Sequence, residues 1–365
     1  MTSANSESIG LHKCEIETPA LCLDIAAYRR NVDRILQFLR GRNIAWRPHM
    51  KGQKAPELAR LAIDAGAIGV TCATLYEAEA MAESGIQSIL LAHQVAGERK
   101  SRRLARLQRK AVVISATDSL DHALLLQKAA LAEDVNIPVV IELDVGMNRC
   151  GVVPGNPTLQ LARTVQKMDG LRLAGLMGWE GHILKFDPAE KRDRARTAMT
   201  ALVENADRCR QQGLPIDIVS AAGSGTFLVS CETPGITEVQ AGGAVFSDLS
   251  YQNWGLHHEF AVTVVARTVS RPSPTRVIVD AGFKTMSYCH GMPRPIGLET
   301  KSVGLSAEHG TLELEQPSDT PHVGDTVEFI PGYTDSTLCL HDEICVFRGE
   351  RVEAVWIIPG RSGRR

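Results

Sequence analysis

No apolar run in the 365 residues approaches the about 20 needed to cross a bilayer. The opening stretch, Met1 to Gly10, lacks the basic start and apolar core of a signal peptide. With neither signal present, the expectation is a cytoplasmic protein, not bound to a membrane, whose N-terminus frays over residues 1–14. Cysteine pairing is missing too: the nine cysteines are odd in number, scattered, and never spaced as CxxC. That usage suits reduced thiols better than a disulfide framework. Nor is there an excess of one charge, since 40 basic and 42 acidic residues give a net charge of -2. The basic cluster from Glu98 to Lys110 carries leucines at helical spacing, so it reads as the exposed face of an amphipathic helix and not as a nucleic-acid site. No apolar run is followed by a well-placed GxGxxG, which counts against an open dinucleotide-binding sheet.

What remains is an ordinary globular composition, 44% hydrophobic and 22% charged. Single cores stop growing at about 250 to 300 residues, so this length predicts one large domain and a smaller one. Between residues 20 and 220 eight short apolar runs alternate with helical patterns: 20–25, 44–50, 68–73, 88–92, 112–116, 139–144, 171–177 and 216–220. Eight such alternations predict an α/β (β/α)8 TIM-type barrel. Near residue 258 the pattern changes to β-branched runs, 260–269, 276–280, 326–330 and 343–347, separated by Pro, Gly and Asp. The domains expected are therefore a barrel over 1–257 and an all-β domain over 258–365.

Barrel chemistry gathers where strands end. The second run ends in Arg47-Pro48-His49-Met50-Lys51-Gly52, which puts Lys51 where a strand gives way to a loop. Burial among apolar neighbours favours the neutral amine that condenses with a carbonyl, although on position alone a solvated lysine is the commoner outcome. The sixth run closes on Asp144 to Gly151, where Arg149 can meet an anionic oxygen or form a rim ion pair with Asp144. The seventh closes on Trp179-Glu180-Gly181-His182, a set suited to acid–base work. After the eighth come Ser220 to Thr226, with Gly223, Ser224 and Gly225, and then Gln240 to Gly243, small residues that let backbone amides approach a phosphate. A lysine and a phosphate cup at one barrel mouth together suggest pyridoxal 5'-phosphate.

The motifs Pro48 to Gly52, Asp144 to Gly151, Ala222 to Thr226 and the run from Pro331 resemble the pyridoxal phosphate enzymes of the alanine racemase-like barrel family. Within it they look most like the branch of D-threonine aldolase and D-serine dehydratase, over residues 15 to 361. The resemblance implies Lys51 as the Schiff-base lysine and Arg149 as support for the cofactor ring oxygen. It also implies His49, Ser220, Gly223, Ser224, Gly225, Thr226, Gly242 and Gly243 as cofactor-binding residues. A head-to-tail homodimer, with an active site that takes residues from the partner's β domain, is implied as well.

The chain departs from that pattern at the metal. The branch carries a histidine and, two residues on, a Cys or Asp that bind a divalent ion, whereas here Tyr333 stands at the histidine position and Asp335 remains. A phenol with a pKa near 10 is a poor ligand at neutral pH. Whether manganese, magnesium or zinc binds is therefore open, with His341 and Asp342 as substitute ligands. The base at a substrate β-hydroxyl is Glu180, His182 or Tyr333. The expected activity is a lyase that cleaves a D-configured β-hydroxy-α-amino acid to glycine and an aldehyde. A dehydratase of D-serine or 3-hydroxyaspartate type, a metal-independent racemase and a non-catalytic cofactor carrier remain alternatives, the last disfavoured by the β domain.

Overall fold

The computed structural model describes residues 6–359. Its described residues divide into two compact units, 35–242 and a second made of 6–34 together with 243–359.

The first expected barrel strand, β1 (Ala20–Asp24), is followed by helix α1 (Ile25–Arg40), but β1 lies in another sheet, described below. The barrel unit starts at β2 (Ala45–Trp46) and continues with α2 (Pro56–Ala65), β3 (Val70–Cys72), α3 (Leu75–Glu83), β4 (Ser88–Leu91), α4 (Glu98–Leu107), β5 (Val112–Thr117), α5 (Leu120–Ala132), β6 (Ile137–Leu143), α6 (Asn156–Gln166), β7 (Leu171–Gly178), α7 (Pro188–Gln211), β8 (Ile218–Ala221), α8 (Phe227–Ser230) and β9 (Glu238–Val239). Its eight strands are parallel in the order β2-β9-β8-β7-β6-β5-β4-β3. Beyond Trp46 the ring is completed by backbone bonds, Ile68 N–H to Trp46 O and Thr71 N–H to Pro48 O, both 2.9 Å, with a parallel bridge between His49 and Thr71. All seven residues of β6 are buried, its apolar run broken by a charged residue only at Glu142. The helices start where side chains take up open N–H groups: Thr74 accepts from Glu77 N and Asp187 from Ala189 N and Glu190 N, while Pro56 opens α2.

The second unit holds α9 (Leu249–Asn253), β10 (Val262–Ser273), β11 (Arg276–Val279), β12 (Arg294–Pro295), β13 (Thr300–Leu305), β14 (Gly310–Leu314), β15 (Thr326–Ile330), α10 (Thr334–Leu338), β16 (Glu343–Arg348) and β17 (Arg351–Ile357). Strand β1 runs antiparallel to β10 and parallel to β16, so it belongs here and not to the barrel. An apolar pentapeptide signals burial, and Leu21, Cys22 and Leu23 are all buried; it does not say which sheet will bury them. The eighth barrel strand is instead β9, two residues long and half acidic, with no apolar run to announce it. Glu238 is tolerated inside because Arg47 Nε lies 3.0 Å from Oε1 and 3.1 Å from Oε2. Residues 1–5 of the N-terminal segment expected to fray lie outside the described residues, while Gly10 N bonds Val352 O and Lys13 N bonds Glu350 O, both at 2.9 Å. Among the described residues no helix is long and apolar enough to cross a membrane.

A second buried ion pair stands beside the Lys51 loop. Lys54, in left-handed backbone at φ 55°, pairs with Glu77 on α3, whose other oxygen accepts from Ala73 N at 2.8 Å. Removing one partner leaves a charge in an enclosed place. Glu77→Ala is expected to lower the unfolding free energy by about 3–5 kcal/mol in a denaturant titration. A loss below about 1 kcal/mol, as for an exposed pair, would contradict this account of the loop.

Candidate active site

The chain leaving β2 is fixed before it reaches Lys51. His49 N–H donates to Gln240 O at 3.2 Å, and the His49 imidazole then caps the single 3-10 turn Met50–Gly52 by accepting from Lys51 N at 3.3 Å. That acceptor role requires neutral imidazole, and burial, with Lys51 nearby, holds the His49 pKa well below the ordinary histidine range. On the far side Gln53 Nε2 donates to Gly242 O at 3.0 Å. A Cβ at Gly242 would lie 2.0 Å from His49 O, so only glycine lets these two segments approach so closely.

Lys51 is half-buried, and its Nζ lies 5.4 Å from the centre of the Trp179 ring, just past the end of β7. Arg149 comes to the same ring from the loop after β6, its Cζ 4.9 Å from the centre. Gly223 reaches it from the loop after β8, where an added Cβ would stand 3.1 Å from Trp179 Nε1. Trp179 thus joins three strand ends, a role the sequence signals only as an aromatic residue closing a strand. The ion pair considered between Arg149 and Asp144 does not form. Asp144 accepts backbone N–H groups of Gly146 and Asn148 at 3.0 and 2.9 Å, and Arg149 instead faces the buried Glu142 at 3.9 Å.

In the small-residue loop Ala222 takes left-handed backbone at φ 61°, and Thr226 Oγ1 accepts from Gly223 N at 3.0 Å before α8 begins. Ser220, on β8, accepts from Gln240 Nε2 at 3.0 Å. Gly223, Ser224, Gly225 and Thr226 therefore form a turn folded against Trp179. Gly243, next after Gly242 in the chain, opens the other unit and packs on Tyr251, whose hydroxyl would be 2.2 Å from a Cβ there.

The two acid–base candidates after β7 part company. Glu180 is fully enclosed, with Oε1 accepting from Ser230 Oγ at 2.6 Å at the end of α8, so its carboxylate presents no surface to a ligand. His182 is half-buried. Its ring lies against Gly146, with Cε1 and Nε2 2.9 Å from where a Cβ would stand, and its enclosed Nδ1 has no hydrogen-bond partner. Burial lowers the His182 pKa, which keeps the imidazole neutral and able to take a proton near pH 7.

Tyr333 and Asp335 sit in the second unit. Tyr333 Oη donates to Asp335 Oδ2 at 3.1 Å and Tyr251 Oη to Asp335 Oδ1 at 3.4 Å. Burial and the Asp335 charge push the Tyr333 phenol well above the usual tyrosine range. Asp248 ties α9 to α10, accepting from Tyr251 N, Thr334 N and Thr334 Oγ1, and burial raises its pKa to about 6. His341 is turned away to Thr285 O at 3.0 Å. Among the described residues no group of three His, Cys, Asp or Glu side chains is placed to hold a metal ion. The donors at Tyr333 and Asp335 do not fit one. The barrel residues do fit pyridoxal phosphate: an amine, a guanidinium and a ring face converge, beside glycine positions that any side chain would fill.

Comparison with known proteins agrees. Residues 23–250 match the family described as alanine racemase, N-terminal domain, and residues 261–347 match a putative serine dehydratase domain. The chain is 31% identical to a D-threonine aldolase of Arthrobacter sp over 96% of its own length and 94% of that protein. It is 29% identical to a 3-hydroxy-D-aspartate aldolase of Paracoccus denitrificans (strain Pd 1222) over 97% and 94%. The solved D-threonine aldolase from Filomicrobium marinum superposes with a TM-score of 0.93 at 33% identity, covering 97% of both chains. A cysteine-to-alanine variant of a D-threo-3-hydroxyaspartate dehydratase, described as in the metal-free form, gives 0.86 at 25% identity, covering 95% of this chain and 98% of that one. The chain therefore belongs to the pyridoxal phosphate-dependent alanine racemase-like family, in the branch of D-threonine aldolase and the related hydroxyaspartate lyases.

Proposed function

We propose that this enzyme cleaves the Cα–Cβ bond of a D-configured β-hydroxy-α-amino acid, releasing glycine and an aldehyde, in the manner of D-threonine aldolase. The observation that carries the reading is the convergence of Lys51, Arg149 and Gly223 on Trp179, with the ring of His182 lying against Gly146 in the loop that carries Arg149. Bound there, pyridoxal phosphate supplies a carbonyl for the lysine amine and a sink for the electrons released at Cα.

The chain's own residues divide the remaining work. Lys51 holds the cofactor covalently, and His49, by accepting from the Lys51 backbone, sets the turn that aims it. Arg149 would donate to an anionic oxygen of the bound group, and Trp179, whose ring faces both Lys51 and Arg149, would lie beside it. Ser220, Gly223, Ser224, Gly225, Thr226, Gly242 and Gly243 would hold the phosphate, in a turn already braced by Gly223 N donating to Thr226 Oγ1 and Thr226 N to Gly223 O. His182 removes the β-hydroxyl proton, its lowered pKa keeping it in the unprotonated form that this needs; Tyr333, a phenol held protonated, is better suited to donate one. Glu180 acts at one remove: through Ser230 it fixes α8 and with it the phosphate loop. The reading includes a cytoplasmic head-to-tail homodimer, an arrangement that would bring the partner's β domain to the barrel mouth.

The reaction is tested by its products. Purified holoenzyme given D-threonine, D-phenylserine or D-threo-3-hydroxyaspartate is expected to yield glycine and the matching aldehyde, and to leave the L-isomers untouched. Ammonia with a 2-oxo acid would mean dehydration, and loss of optical activity without cleavage would mean racemisation; either outcome rejects the aldolase reading.

The base is tested by pH. A base works deprotonated, so a lowered His182 pKa puts the acid limb of kcat/KM below about pH 6.5, with a plateau above it. His182→Gln is expected to lower kcat by about 10²-fold and remove that limb. Glu180→Gln, which keeps an acceptor for Ser230, should cost less than about tenfold and leave the limb in place. The reverse pattern would give the proton transfer to Glu180.

A further inference from the structure

A carboxylate that binds a divalent ion must leave lone pairs open towards it. At Asp335 both oxygens already accept phenolic hydrogen bonds, Oδ2 from Tyr333 and Oδ1 from Tyr251. Both phenols are packed by neighbouring rings. The Tyr333 ring packs against Tyr251, Trp254 and His290 with centres 5.9, 5.9 and 4.9 Å away, and Tyr251 packs on Trp254 at 5.3 Å. Tyr251 is buried, and its hydroxyl is backed by Gly243. The other groups that might complete a coordination shell are committed elsewhere: Asp248 to Tyr251 N and Thr334, and His341 to Thr285 O. His290 meets Tyr333 through an edge-to-face ring contact, on a residue held in left-handed backbone at φ 65°. What results is a carboxylate with a lone pair on each oxygen engaged by a phenol, beside packed aromatic rings and with the His341 imidazole turned to Thr285 O.

We propose that the Tyr251–Asp335–Tyr333 unit stands where relatives of this branch keep a metal centre, and that this enzyme works without a divalent metal. The position offers hydrogen-bond donors in place of a Lewis acid, and the residue that makes the difference is Tyr333. An imidazole there would leave Asp335 Oδ2 without its phenol and would add a nitrogen ligand two residues away. The inference rests on membership of the family and not on which bond the enzyme breaks, so its test reads metal binding and not turnover.

The experiment uses the full-length holoenzyme purified without chelator. Its metal content is measured by mass spectrometry, and manganese is then titrated into wild type and Tyr333→His while the free ion is followed by electron paramagnetic resonance. Cofactor content and circular dichroism check the variant's fold. Wild type is expected to hold only substoichiometric metal, and Tyr333→His to bind manganese at least about 100-fold more tightly. One equivalent of metal retained by wild type, or manganese bound by it as tightly as by the variant, would overturn the proposal. A well-folded Tyr333→His that gains no affinity would equally contradict the role given to Tyr333. Should that variant fail to fold, the content and titration of wild type decide the matter alone.

Discussion

A strand only two residues long decides where Lys51 stands. On one flank, Ala45 N, Arg47 N and His49 N donate to Thr237 O, Val239 O and Gln240 O at 2.9, 3.0 and 3.2 Å. On the other, Trp46 O and Pro48 O accept from Ile68 N and Thr71 N. These bonds close the barrel and, by the same act, clamp the backbone on both sides up to the residue before the turn. The Gln53 side chain bonded to Gly242 O holds the turn from beyond. A reactive amine has to be held to within a fraction of an ångström of its working position, and a backbone bonded on two flanks does this better than a loop can.

Charge is handled in keeping with that constraint. The buried cations flanking Lys51 in sequence are neutralised locally, Arg47 by Glu238 and Lys54 by Glu77, each pair with side-chain exposure of 11% or less. Their fields are largely spent on their partners, while Lys51 and Arg149 both come to the face of Trp179. His49 and His182 are kept neutral by burial, one as a structural acceptor and the other as the group suited to move a proton. The Glu180 carboxylate, two positions from His182 across Gly181, turns one oxygen to Ser230 at the end of α8, while its other oxygen is buried without a hydrogen-bond partner.

Much of the barrel was legible because its strands are buried on both faces, so that stretches such as Val139-Val-Ile141 carry the signal on every residue. Two elements were not. Ala20–Asp24 is as apolar as a barrel strand but pairs with Val262–Ser273 and Glu343–Arg348, a choice made by residues hundreds of positions away. Glu238–Val239 is too short and too polar to show periodicity, and its acidic residue is acceptable only because Arg47 meets it. The site divides in the same way. That Lys51 and Gly223 end strands on one side of the barrel follows from the alternation of apolar runs and helices, and both come to the Trp179 ring. The opposite fates of Glu180 and His182, two positions apart in a four-residue motif, depend on which way each side chain turns, and Trp179 as the common neighbour of three loops depends on closure of the ring. Tyr333 stood out by its mismatch with the family pattern, whereas Tyr251, which completes the closure of Asp335, lies 84 residues from it and carried no signal.

The central claim is that Lys51, and not its neighbour Lys54, carries the cofactor, because Lys54 is locked to Glu77. Borohydride reduction of the holoenzyme followed by peptide mass mapping tests this directly. The account predicts a pyridoxyl-phosphate adduct on Lys51 alone; an adduct on Lys54, or on a lysine outside the turn Met50–Gly52, would contradict it.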